Sequence, residues 1–166
     1  QERKKLEKKF NIDKVRSLYS FYYSGFNLRS TDLNAFLGIQ QMKVLNKKIK
    51  TRFRNFKIFS KNLSNFWSQK SEAKIISNFG YALMVKNRSE VFDFLKKNKI
   101  ETRPLICGNM GQQPFWIKKY KRPILPNAEK VHKFGLYLPN HENLTAKQVE
   151  FICDKVKIIA KPFNFI

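Results

Sequence analysis

Acidic side chains are scarce in this chain. Its 166 residues hold 12 Asp+Glu against 34 Lys+Arg, a formal net charge of +22. Such a field repels itself and attracts polyanions, nucleotide-like ligands or anionic lipid. Carboxylates this few and scattered argue against chemistry by a matched acid pair. Cysteine is scarcer still. Cys107 and Cys153 stand far apart with no Cys-x-x-Cys spacing, so neither a zinc nor a redox signature is present. Two reduced thiols in a cytoplasmic protein are expected. His132 and His141 have no Cys or carboxylate cluster at ligand spacing, and no metal site is expected. The chain has no Ser-x-Gly elbow, Walker loop or Gly-x-Gly-x-x-Gly run. No apolar run approaches membrane-spanning length, and no signal-peptide pattern opens the chain. The first residue is Gln1 rather than Met, and residues 1–9 already form a charged, helix-like stretch. The expectation is a piece of a longer polypeptide.

What is present is apolar bulk. Hydrophobic residues make up 42% of the chain, and 16 of them are Phe, enough for one packed core. Lysines are spread over nearly every segment, so compositional bias and a dedicated polyanion site both remain readings of the charge. Residues 1–15 read as a polar helix and 18–24 as an aromatic strand or extended loop. Gly25 permits a sharp turn. Ser30-Thr31-Asp32 is a helix start, because its side-chain oxygens can accept the orphan first-turn amides. That helix carries Leu33, Phe36, Leu37 and Gln40, with Gly38 inside it suggesting close backbone packing. A second helix follows, with Leu45, Ile49, Phe53, Phe56, Phe59, Leu63 and Phe66 at steps of three and four. After a polar break at 68–77 the pattern predicts a strand over 79–85, a helix over 89–97 and a strand over 100–107 that Pro104 marks as an edge. A loop follows at 108–114, then a helix over 127–132 capped by Asn127. A strand over 135–138 is stopped by Pro139, and a helix capped by Thr145 is ended by Pro162. The order predicts an α/β sandwich with one small sheet.

The loop Gly108-Asn109-Met110-Gly111-Gln112-Gln113-Pro114 is chemically unusual. Two glycines allow close backbone approach, three amides offer neutral donors and acceptors, and Arg103 precedes it on the inferred strand. Arg103, Asn109 and Gln113 are therefore candidate contacts to a polar substrate such as a sugar. An ordinary surface loop would have the same composition. His132, mid-helix, reads as structural or exposed.

The stretch from Gly25 to Gln41, GFNLRSTDLNAFLGIQQ, resembles the "G-Y-N-x-R-x-x-D-x-x-A-A-x-G-x-x-Q-L" signature of the pyridoxal-phosphate-dependent sugar aminotransferases, the DegT/DnrJ/EryC1/StrS family of fold type I. Four later motifs agree in order: Ile100-Glu101-Thr102-Arg103-Pro104 with "G-I-E-T-R-P", Gln113-Pro114-Phe115 with "Q-P-A-F", Leu125-Pro126-Asn127-Ala128-Glu129 with "L-P-x-A-E/D", and residues 137–145 with "S-L-P-x-H-P-x-L-T". The likeness runs from about Tyr22 to Ile159. It implies the C-terminal half of such an enzyme: residues 1–42 as the end of the large cofactor-binding domain, and residues 43–166 as a long bridging helix (43–67) and a small C-terminal α/β domain. That domain would hold a small mixed or antiparallel sheet packed by helices.

The resemblance also implies roles. The residue matching Asn27 reaches across a homodimer to hydrogen-bond the pyridoxal 5'-phosphate of the other subunit, and the one matching Arg29 lines that composite site. An amide and a guanidinium are suitable donors to phosphate oxygens. The lysine that holds the cofactor's aldehyde lies upstream of these motifs and maps onto no residue here, so no catalytic residue is assigned and the chain alone is expected to be inactive. A nucleotide-linked 4-keto (deoxy)sugar and an amino donor are the implied substrates, in surface polysaccharide such as lipopolysaccharide synthesis. In this family a His in place of that lysine goes with 3-dehydration, and Cys107-Gly108-Asn109 resembles "A/C-G-N" of that branch, though the same loop is also compatible with perosamine-synthase-like relatives, and aminotransfer is the expected class. A third reading, a basic nucleic-acid-binding module, is disfavoured because the aromatics at 53–59 keep helical spacing and so face a core. Neither specific nucleic-acid binding nor membrane insertion is expected.

Overall fold

The computed structural model describes residues 1–10, 12, 22–23, 30–68, 70–105 and 108–163, with the side chain of residue 115 excepted. Residues 1–40 form one compact unit and 41–166 another. The first holds helix α1 (Glu2–Lys9), whose Arg3 and Glu7 pair at 3.1 Å, and Tyr23, whose hydroxyl donates to Glu2 at 3.1 Å.

Helix α2 (Asp32–Asn62) begins where the sequence says it should: Thr31 Oγ1 accepts the Asn34 amide at 3.2 Å, and Asp32 sits in the first turn, where helix polarity favours an anion. The two helices expected here are one. No proline interrupts residues 32–62, and a single glycine costs only about 1 kcal/mol relative to alanine. Gly38 does not mark close packing among the described residues either, since a Cβ there would meet none of them within 4 Å.

The second unit is built on a three-stranded antiparallel sheet, β1 (Gly80–Met84), β2 (Arg103–Pro104) and β3 (Gly135–Pro139), in the order β1-β3-β2. Gly80 pairs with Pro139 and Met84 with Gly135, while Arg103 faces Tyr137 and Pro104 faces Leu136. Of the strand expected over 100–107, the described residues 100–105 pair only at Arg103 and Pro104, and Pro104 has no N–H to give the ladder. Tyr81, Leu83, Leu136 and Leu138 alternate onto one sheet face. There they meet Phe59, Leu63 and Phe66 from α2 and its following turn, Val91 and Leu95 of α3 (Arg88–Lys97), and Val149, Ile152 and Val156 of α6 (Ala146–Ile159). Phe59 stacks on Tyr81 with ring centroids 4.9 Å apart.

Local chemistry fixes the ends. The Ile100 amide bonds Leu95 O and the Lys99 amide bonds Lys96 O, closing α3 with a Schellman turn whose left-handed residue is Lys99, φ 61°. Thr145 and Gln148 form a full capping box on α6. Loop residues 108–113 contain a 3₁₀ turn (Met110–Gln112), followed by the one-turn helix α4 (Pro114–Ile117) and then α5 (Pro126–Phe134). Asn127 does not cap α5: Leu125 holds the cap position and Pro126 occupies the first helical position, where a missing N–H costs nothing. Pro139 does not stop β3 but ends it as a paired residue, and after α6 the chain returns so that Pro162 bridges Val85.

Candidate functional site

Asn27, Arg29, Gly25 and Cys107 lie outside the described residues. Arg103 is described: it opens β2 and is exposed. Its Nε and Nη2 sit 3.0 and 2.7 Å from Glu101 Oε1, and both side chains are about three-quarters exposed. An ion pair this wet contributes about 0–1 kcal/mol, so the guanidinium can exchange partners at little cost.

Arg103 lines a cavity of about 220 Å³ where the start of β1, the start of β2 and the end of β3 meet. Phe79 and Tyr137 lie on it, their ring centroids 5.4 Å apart. Its polar lining includes Thr102, Asn140 and His141. Asn140 is fully buried, takes its place through its amide to Phe79 O at 3.1 Å, and donates Nδ2 to Asn78 O and Oδ1 at 3.0 Å each. Thr102 Oγ1 and Asn140 Oδ1 are buried with no hydrogen-bond partner among the described residues. A buried orphan of this kind costs about 1–3 kcal/mol. Aromatic faces beside neutral acceptors and a loosely held guanidinium suit a polyhydroxylated ring that carries an anionic group.

The amide loop is a separate feature. Asn109 is buried, and its Oδ1 accepts the Gly111 amide at 3.0 Å, capping the 3₁₀ turn from inside, while its Nδ2 is an orphan among the described residues. Gln112 Nε2 donates to Glu129 Oε1 at 3.3 Å. Gln113 is half-buried at the cap position of α4. Neither Asn109 nor Gln113 lines the cavity that Arg103 lines. Sequence reading missed Thr102, Tyr137 and Asn140 as cavity residues. The alternation in GLYLP was the available signal for Tyr137, since a residue between two core leucines must face the other way.

Glu142 anchors the segment after β3 to α2. Lys48 Nζ lies 3.1 Å and Arg52 Nη2 2.8 Å from its two oxygens. Its own backbone amide, then these two cations, hold the carboxyl down at about 2. Arg54 adds a bond to Leu144 O at 2.7 Å. Burial pushes the Cys153 thiol up to about 12, which makes it an inert core residue. Among the described residues no group of three His, Cys, Asp or Glu could hold a metal, and no helix is long and apolar enough to cross a membrane.

Similarity to known proteins agrees with the motifs. The chain is 28% identical over 157 residues to the GDP-4-keto-6-deoxy-D-mannose 3-dehydratase of Yersinia pseudotuberculosis, covering 89% of this chain and 40% of that protein. It is 26% identical over 137 residues to the GDP-perosamine synthase of Escherichia coli O157:H7, covering 80% of this chain and 37% of that one. It thus spans about 40% of the length of these curated relatives. Among solved structures it matches an E. coli GDP-4-keto-6-deoxy-D-mannose-3-dehydratase with bound hydrated PLP at TM-score 0.68 and 24% identity, over 87% of this chain and 40% of that one. It also matches Helicobacter pylori PseC, an aminotransferase involved in the biosynthesis of pseudoaminic acid, at TM-score 0.70 and 19% identity, over 84% and 40%. At these identities the structures establish the shared fold. The DegT/DnrJ/EryC1/StrS aminotransferase family matches residues 3–157, and the chain belongs to that family.

Proposed function

We propose that this chain is the C-terminal part of a cytoplasmic, homodimeric, pyridoxal-phosphate-dependent aminotransferase that acts on a nucleotide-linked 4-keto (deoxy)sugar in surface polysaccharide synthesis. The observation that carries this reading is the family match over residues 3–157, supported by relatives named for GDP-linked sugars. A buried, unpaired Cys153 suits a reducing compartment. The donor chemistry fits the cofactor: Asn27 and Arg29, assigned by resemblance, offer an amide and a guanidinium, the groups that bind a phosphate dianion. When bound, pyridoxal phosphate supplies an electron sink for bond breaking at the sugar carbon. This chain's share of the work is binding and orientation. Asn27 and Arg29 would hold the phosphate of the partner subunit's cofactor. Arg103 would leave Glu101 for a substrate phosphate, with Gln113 supporting the sugar and Asn109, turned inward, shaping the loop that carries it. No lysine of this chain matches the one that holds the cofactor's aldehyde, so the chain alone is expected to have no turnover and no borohydride-sensitive absorbance.

A second reading is 3-dehydration of the same substrate class, favoured by the names of the Yersinia relative and of a further 3-dehydratase from E. coli O55:H7, 24% identical over 155 residues. One experiment separates the two. A full-length protein carrying this chain is incubated with GDP-4-keto-6-deoxymannose, glutamate and pyridoxal phosphate, and the product is weighed by mass spectrometry. A 4-amino sugar supports aminotransfer, loss of the 3-hydroxyl supports dehydration, and an unchanged nucleotide sugar refutes this substrate for both.

A further inference from the structure

The loop at 108–113 is held by one imidazole. Gly108 has φ +68°, a left-handed conformation that glycine adopts without steric cost, and a Cβ there would run into His132 Nδ1. The next amide, Asn109 N–H, donates to that same Nδ1 at 3.0 Å. The loop backbone therefore lies directly against the edge of a ring on α5. His132 is itself fixed at its backbone, where its carbonyl accepts the Arg88 guanidinium from the start of α3. A second tether joins Gln112 to Glu129, three residues earlier on α5, and Arg122 Nη2 reaches the same Glu129 oxygen at 3.5 Å.

We propose that His132 is a positioning residue: its neutral imidazole, carrying its proton on Nε2, pins the 108–113 loop, and protonation at Nδ1 releases it. Nδ1 accepts only while its lone pair is free. The imidazolium has two donors and no acceptor, so an N–H would be driven against the Asn109 N–H. Histidine is the side chain that changes charge nearest neutral pH, which makes this contact the pH-sensitive one of the two tethers. The charged groups on the elements packed here are Arg88, Glu90, Asp93, Lys96 and Lys97 on α3, Arg122 before α5, and Glu129, Lys130 and Lys133 on α5. The described loop residues contribute none. The neutral ring is the form that accepts the Asn109 amide, and its protonation is what opens the loop. Any effect on substrate rests on the function proposed above, in which this loop presents Gln113 to the sugar.

The test follows the ring and the amide together in the full chain by ¹⁵N-resolved NMR and amide hydrogen exchange across pH. The expected result is an unprotonated Nδ1 at neutral pH. The Asn109 amide should lose about two- to tenfold in protection, the worth of one hydrogen bond, at the same midpoint as the ring titrates. His132→Asn, whose Oδ1 stands near the place of Nδ1 and takes no proton, should keep the amide protected through mild acid. His132→Leu should leave it unprotected at every pH, and if that variant does not fold, the wild-type titration and His132→Asn decide. Asn109 protection that ignores the ring's titration, or a ring bearing its neutral-state proton on Nδ1, overturns the proposal. In the holoenzyme, KM rising in mild acid for the wild type but not for His132→Asn, with kcat held, extends the pin to substrate. A flat KM while the amide titrates leaves the pin standing and removes Gln113 from the substrate contacts.

Discussion

The two halves of α2 carry similar apolar loads in opposite surroundings. Leu33, Phe36, Leu37, Ile39 and Met42 are each more than half exposed, whereas Phe59, and Leu63 just past the helix end, are fully buried. The pattern differs as well. From Leu45 to Leu63 the apolar residues recur at steps of three and four and make one stripe, with lysines and arginines on the remaining surface, as on Lys57, whose Nζ sits 4.3 Å from the Phe53 ring. From Leu33 to Val44 they spread over a wider arc, with Asn34, Gly38 and Gln41 together on the remaining side. A stripe is what a helix needs to pack on its own domain, and a wider apolar arc suits a helix that is enclosed on more sides. The second half of this helix is packed into the core of residues 41–166.

The comparison is broken most sharply by one pair of truncations. Phe59→Ala removes a ring stacked on Tyr81 and should cost about 3–5 kcal/mol in urea unfolding. Phe36→Ala, 59% exposed, should change stability by no more than about 0.5 kcal/mol. Equal losses would mean that the first half is packed as firmly as the second. Next, the exposed half should make the chain self-associate, since contiguous exposed apolar surface of this kind drives contact between molecules. Sedimentation velocity should show association that rises with concentration and falls markedly in a Phe36→Glu, Leu37→Lys double variant, with the melting curve of residues 41–166 unchanged.

The smallest effect concerns the Glu142 clamp on Lys48 and Arg52, at the middle of the helix. Its carboxyl is lowered from 4.5 to about 2 on folding, so the clamp contributes its full stability above the unfolded value and loses it as pH falls from about 4.5 toward 2. Glu142→Gln should be less stable than wild type at neutral pH, and the gap should close across that window. A gap that stays constant down to acid would show that the carboxylate's charge is not what holds the segment after β3.

Much of this architecture was legible because short-range rules fix it. Thr31 and Thr145 cap where Ser/Thr before an apolar run should, and the GYALM and GLYLP stretches form the paired strands. The merged helix was missed because the stripe changes character near residue 45 while the backbone has no reason to stop there. Asn127 looked like a cap, but Pro126 before it already suits the first helical position. Arg103 was legible as an exposed cation beside a turn. That Asn109 folds inward to cap its own 3₁₀ turn was not, because composition says which residues can hydrogen-bond and not which way a loop of glycines and amides will turn them.

By itself, then, the sequence determined the elements, the core stripe, the chain's membership of a family and the basic surface, since each depends on neighbours within a few residues or on an ordered series of motifs. Only the tertiary structure decided that Thr102, Tyr137 and Asn140 share a cavity with Arg103, and that His132, 23 residues from Asn109 along the chain, holds that residue's amide. Those pairings depend on how β3 is threaded between β1 and β2 and on where α5 lies against the loop. Distances across a fold are set by packing, which no local pattern encodes.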